Sequence, residues 1–150
     1  MVENGGIMFI GEYEHSLDNK GRVIVPAKFR DDLSETFVMT KGLDKCLFVY
    51  PMEEWKLIEE KLKALPMTNP MVRSFVRTFF AGASDASLDK QGRVLIPQKL
   101  RDHALIERDA VIIGVATRFE IWSKQEWEAY NSTEGLSYEE LAQQLSELGI

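Results

Sequence analysis

Residues 17–31, LDNKGRVIVPAKFRD, return 71 positions later as LDKQGRVLIPQKLRD at 88–102, identical at nine of fifteen positions. Ordinary composition gives roughly one identity by chance over such a window, so the chain carries an internal duplication. The matched pairs are Leu17/Leu88, Asp18/Asp89, Gly21/Gly92, Arg22/Arg93, Val23/Val94, Pro26/Pro97, Lys28/Lys99, Arg30/Arg101 and Asp31/Asp102. Downstream the likeness persists only as a pattern, with LFVYPMEEW at 47–55 falling on FEIWSKQEW at 119–127. Any fold for this chain must therefore accommodate one unit twice.

Within the unit, local signals follow a fixed order. Glu12 to Leu17 reads as a strand, Asp-Asn-Lys-Gly as a tight turn, and Arg22 to Val25 as a second strand. Gly21 supplies the positive φ that such a turn needs, and the Asp18 carboxylate is placed to cap the turn's N–H groups. Pro26 ends strand pairing and suits the first position of a short helix, AKFRDDL. Two further β-rich runs follow, Thr36 to Thr40 and Cys46 to Tyr50. The second half repeats the plan with Ala83 to Leu88, the Asp89 and Gly92 turn, Arg93 to Ile96, a helix from Pro97, Ala110 to Val115 and Phe119 to Trp122.

Between and after the units the chain reads as helical. Pro51 to Leu65 sets Met52, Trp55, Ile58, Leu62 and Leu65 on one stripe, and Pro66 stops it. Asn69 caps a helix starting at Pro70, whose Met71, Val72, Phe75, Val76, Phe79 and Phe80 form a wide apolar face, expected to be buried on more than one side. Ser123 with Glu126 and Ser137 with Glu140 match capping boxes. The class is α+β. Four strands and one short helix per half cannot cover both faces of a sheet, so the halves are expected to interlock, a pseudo-twofold β-barrel being the simplest way to pair every edge. The expected partition is a first half at 8–55, connecting helices at 56–82, a second half at 83–127 and an acidic helical tail at 128–150.

With 150 residues, 45% of them hydrophobic, the chain can bury a core either as one compact unit or as two small halves sharing one. Cys46 is the only cysteine, which excludes an internal disulfide and a thiolate zinc cluster, and a reducing cytoplasm is the natural compartment. His15 and His103 stand apart from any partner at ligand spacing, so no metal site and no cofactor are expected. No apolar run approaches the roughly 18 to 20 residues of a bilayer span, and the first residues have neither a basic nor a long apolar segment of an export signal. Met8 opens a plausible chain of its own, so residues 1–7 are assigned no structural role.

The net charge of −6 argues against a general nucleic-acid binder. Its distribution says more. Each of 17–30 and 88–101 holds four basic residues against one Asp, a local +3, while six Glu and neither Lys nor Arg follow Lys124. Segregation of this kind permits DNA binding by one face.

The duplicated L-D-x-x-G-R-V-x-x-P-x-K-x-R segment resembles the MraZ family, whose chains hold two D-x-x-x-R motifs in a swapped-hairpin barrel similar to that of the AbrB and SpoVT regulators. Asp18 to Arg22 and Asp89 to Arg93 both satisfy the motif, and the resemblance covers residues 8 to about 145. It implies a sequence-specific transcriptional regulator of the division and cell-wall gene cluster, in the cytoplasm and at the nucleoid. It further implies ring-shaped homo-oligomers on repeated sites in double-stranded promoter DNA, with Arg22 first and Arg93 second as the DNA contacts. Lys20 lies inside the first turn, whereas the second has Gln91 there and Lys90 one place earlier. Lys28 joins the candidates from the short helix, although a solvated face is the default reading for Lys28, Arg30, Lys99 and Arg101. Asp18, Gly21, Asp89 and Gly92 are expected to structure the turns.

Two other classes fit parts of the sequence. A structural ring or interaction scaffold would use the acidic balance and the wide apolar helix, Phe75, Phe79 and Phe80 serving as core or subunit interface. A hydrolase would pair Asp18 with Asp89 as a shared-proton dyad. An Arg four residues after each Asp opposes the latter, because a nearby guanidinium keeps both carboxylates ionised.

Overall fold

The computed structural model describes residues 6–133 and 137–149; expectations for residues 1–5, 134–136 and 150 lie outside these. The elements run β1 (Glu12–Ser16), β2 (Arg22–Ile24), α1 (Ala27–Arg30), β3 (Phe37–Lys41), β4 (Cys46–Pro51), α2 (Met52–Lys63), α3 (Pro70–Ala81), β5 (Ser84–Ala86), β6 (Arg93–Leu95), α4 (Gln98–Ala104), β7 (Asp109–Val115), β8 (Arg118–Ser123), α5 (Lys124–Thr133) and α6 (Tyr138–Ser146). The class is α+β, with antiparallel sheets.

Six strands form one sheet in the order β1-β7-β8-β4-β3-β5, and β2 pairs with β6 in a second, small sheet. Exchanging the two repeats turns the six-strand order into its own reverse. At the centre β4 meets β8, with Leu47 opposite Ile121 and Val49 opposite Phe119. At each edge a strand crosses to the other half: β1 pairs with β7, and β5 pairs with β3.

A single closed barrel is not found among the described residues. Where β1 would continue into β2, strand pairing shrinks to the turn bond from Asp18 N to Arg22 O, and where β5 would continue into β6 to that from Asp89 N to Arg93 O. The three-residue strands β2 and β6 bend away and pair with each other instead, leaving an open sheet and a separate ladder. Strand β5 is shorter than the expected 83–88 run, since Ser, Asp, Ala and Ser are poor strand formers.

Both sheets line one core. Phe9, Phe29 and Phe119 meet ring to ring within it, at centroid separations of 5.2–5.4 Å. Val23, Val25, Val94 and Ile96 fill it from the small ladder, and Leu47, Val49, Ile112 and Ile121 from the large sheet. Ile7 packs against this core too, so the segment assigned no structural role does have one at its end. A second cluster lies on the other face of the large sheet, where Cys46, Phe48, Tyr50 and Trp122 meet Trp55 and Ile58 of α2, Phe79 of α3 and Trp127 of α5. Burial on both faces is why β4 reads as an unbroken apolar run.

The helices follow their signals with two corrections. Asn69 Oδ1 accepts from Met71 N at 2.8 Å and from Val72 N, and the Ser137–Glu140 capping box is complete. Helix α1 stops at Arg30 rather than running through Leu33, because Asp31 and Asp32 set two carboxylates at the negative end of the helix. Helix α3 is not buried on more than one side: only Phe79 is fully enclosed, with Met71 80% and Phe75 41% exposed. Its face is apolar, but its own chain covers only part of it.

Candidate nucleic-acid interface

The two duplicated turns come together at the ends of the small ladder. In the first, Asp18 Oδ1 accepts from Lys20 N and Arg22 N, each at 2.9 Å, and Oδ2 from Arg22 Nε at 2.7 Å. The second copies this: Asp89 Oδ1 accepts from Gln91 N and Arg93 N, and Oδ2 from Arg93 Nε at 2.8 Å. Each Asp thus holds both its turn and the first guanidine nitrogen of its arginine. Bonds from two backbone N–H groups and a guanidinium favour the ionised form. With the Arg22 N–H as the largest cause, the Asp18 carboxyl is held down at about 2, from an ordinary value of 3.8. Asp89 is lowered as well, chiefly by the Arg93 N–H. Two ionised carboxylates beside guanidinium groups are the opposite of a shared-proton dyad.

The turns also lock the halves together. Gly21 O accepts from Ile96 N and Gly92 O from Val25 N, each at 2.9 Å and each across the repeat boundary. Both glycines have left-handed backbones, with φ of +83° and +79°. A second constraint lies above them. A Cβ on Gly21 would sit 2.7 Å from Cζ of Arg101, and one on Gly92 would collide with the Arg30 guanidinium. Arg30 Nε donates to Val25 O at 2.8 Å, while Arg101 Nε is buried and has no hydrogen-bond partner among the described residues. Arg30 and Arg101 are therefore not the solvated helix residues of the default reading. Each lies flat on the turn of the opposite half. Their presence among the nine identities was the available signal.

Of the five basic candidates, Arg22 and Arg93 are brought together on one ladder, in half-exposed positions with 30% and 25% of their side chains accessible. Lys20 and Lys90 are exposed on the two turns, and Lys28 is exposed on α1. The copies differ in one contact. Arg93 Nη1 reaches Asp18 Oδ2 at 3.5 Å, a cross-half ion pair, while among the described residues neither Nη nitrogen of Arg22 has a partner. Sequence reasoning also passed over Ile24 and Leu95. They stand on the outer face of the ladder, 40% and 55% exposed, opposite Arg93 and Arg22 respectively.

Among the described residues no group of three or more His, Cys, Asp or Glu is placed to hold a metal ion, and His103 Nε2 lies 3.3 Å from Gly42 O. No described helix is long and apolar enough to cross a membrane.

Comparison with known proteins adds a family to this geometry. The model of the family described as "MraZ protein, putative antitoxin-like" matches twice, at residues 8–78 and 79–147. The chain is 62% identical over 143 residues to the transcriptional regulator MraZ of Alkaliphilus oremlandii, covering 95% of this chain and 100% of that one. The proteins of that name in Clostridium tetani and Acetivibrio thermocellus are 59% and 57% identical, with the same coverage.

Proposed function

Since this chain belongs to the MraZ family, we propose that it is a DNA-binding transcriptional regulator whose contact surface is the β2/β6 ladder with its two turns. The observation that carries this reading is the juxtaposition of Arg22 and Arg93 on one exposed ladder, each anchored through Nε by an aspartate. A guanidinium held this way keeps its outer nitrogens for a phosphate or a guanine edge and loses little side-chain freedom on binding. Arg22 is the principal contact, with Lys20 beside it. Arg93 is secondary because Asp18 already engages one of its outer nitrogens, and Lys90 and Lys28 add phosphate contacts. The two sheets then act as a split version of the swapped-hairpin barrel, with the small ladder turned to the duplex.

The proposed targets are repeated operator sites of the division and cell-wall gene cluster, bound at the nucleoid by a ring-like homo-oligomer. The uncovered apolar face of α3, Met71 and Phe75 above all, supports self-association. Several subunits on successive repeats would turn modest single contacts into a tight array, which suits an acidic chain with one basic face. Selecting bound duplexes from a random pool tests both parts. The expected result is a short recurrent sequence at regular spacing, with binding that falls steeply as salt rises. No enrichment, together with salt-insensitive binding, would defeat the reading. Light scattering should report a species several times 17.2 kDa.

A further inference from the structure

The outer face of the small ladder carries more than its two arginines. In β2 the side chains alternate, so Val23 points into the core while Arg22 and Ile24 share the outer face. In β6, Val94 points inward and Arg93 and Leu95 outward. The antiparallel register sets Arg22 opposite Leu95 and Ile24 opposite Arg93. The result is a two-by-two checkerboard in which each arginine from one half stands beside an aliphatic side chain from the other. Directly opposed residues hold their Cβ atoms about 4.5–5.5 Å apart. Each mixed pair therefore spans roughly one to two base steps of about 3.4 Å.

We infer that Ile24 and Leu95 are specificity-determining residues that contact thymine C5-methyl groups in the major groove, beside the bases or phosphates engaged by Arg93 and Arg22. This rests on the DNA-binding reading above. Three observations carry it. Both aliphatic side chains are exposed at equivalent positions of the duplication, on a ladder whose other face is fully buried. A two-stranded ribbon is one of the elements that fit the major groove, where the thymine methyl is the one apolar feature of the base edges. The charge also suits a duplex: Lys20, Arg22, Lys90 and Arg93 outnumber Asp18 and Asp89 on this face, and both carboxylates are taken up by turn N–H groups and arginine Nε. Arginine supplies affinity and reads guanine; an adjacent aliphatic group adds discrimination between thymine and cytosine that arginine alone lacks.

Replacing thymine by deoxyuridine removes only the methyl group, so the test is chemical on the DNA side. Duplexes recovered from the random pool are remade with deoxyuridine at each thymine in turn, and the full-length protein is titrated against each at fixed salt. The unmodified protein should lose roughly three- to fivefold in affinity at one or more thymines per site, the amount expected for one buried methyl. Ile24→Ala and Leu95→Ala should bind the thymine duplex more weakly by a similar factor and no longer distinguish the deoxyuridine duplex. Ile24→Thr, which keeps the β-branch, controls for strand disruption, and circular dichroism reports folding. If the unmodified protein binds tightly but no thymine position matters, or if both alanine variants keep full discrimination, the inference is wrong. A change of molecular mass in these variants with discrimination intact would assign the face to contact between copies and equally overturn it. Failure of the unmodified protein to bind any duplex would instead sink the DNA-binding reading, and this inference with it.

Discussion

The first and second turns are near replicas as scaffolds and unequal as contact surfaces. Both use an Asp to bind two N–H groups and an arginine Nε, both place a buried glycine in the left-handed region, and both are covered by an arginine from the opposite half. Yet the first presents Lys20 where the second presents Gln91, and Arg93 is drawn towards Asp18 while Arg22 has no matching contact with Asp89. Duplication preserved what the fold needs twice. It left the exposed positions to diverge, so equality at one turn position and inequality at its neighbour separate structural from contact roles.

The largest expected effect tests the equality. Gly21→Val and Gly92→Val each add left-handed backbone strain and a collision with an arginine side chain, and should each destabilise by on the order of 2–4 kcal/mol in denaturant titrations. A large loss at one glycine and none at the other would show that the two turns are not equivalent supports.

Acid titration probes the same symmetry more gently. A carboxyl lowered by folding contributes stability that is complete above its ordinary value of 3.8 and is lost as pH falls through its folded value, about 2 for Asp18. Asp89 is lowered in the same direction. The contribution of these two groups to melting temperature should therefore be complete and constant between pH 5 and 8 and should be lost progressively as pH falls below about 4. Carboxyl chemical shifts followed by nuclear magnetic resonance should place the Asp18 midpoint near 2; a midpoint near 3.8 would mean that the turn bonds are absent in solution.

The smallest effect sharpens the inequality. Lys20→Gln should flatten the dependence of log affinity on log salt by about one, and Gln91→Lys should steepen it by up to the same amount, as for one phosphate contact each. If Lys20→Gln leaves the slope unchanged, Lys20 does not meet phosphate and the first turn loses part of its advantage.

How far the sequence disclosed this arrangement depended on the range of each interaction. The aspartate caps and the glycine φ values were legible because they act within five residues. So were the helix starts at Asn69 and Ser137, where one side chain meets the next turn. The arginines that lie on the turns were not, because Arg101 acts on Gly21 and Arg30 on Gly92, and only the interlocked fold brings them together. Strand exchange followed from a half too small to cover its own sheet, but the open sheet and separate ladder did not, since nothing in the pattern of β2 or β6 shows which strand it pairs with. The apolar stripe of α3 was plain in sequence. Periodicity reveals such a face without revealing whether the same chain covers it.

The central claim is that Arg22 is the principal DNA contact on a scaffold both copies share. Its most direct test is the affinity of folded Arg22→Ala and Arg93→Ala for one selected duplex, at one salt concentration, beside the unmodified protein. Loss of an anchored bidentate contact costs about 1–3 kcal/mol per site, and repetition over several subunits multiplies it. Arg22→Ala should therefore abolish specific binding, while Arg93→Ala weakens it by about tenfold or less, with the folded fraction and assembly state of both unchanged. A folded, assembled Arg22→Ala protein that still binds the selected duplex with unmodified affinity would contradict the account.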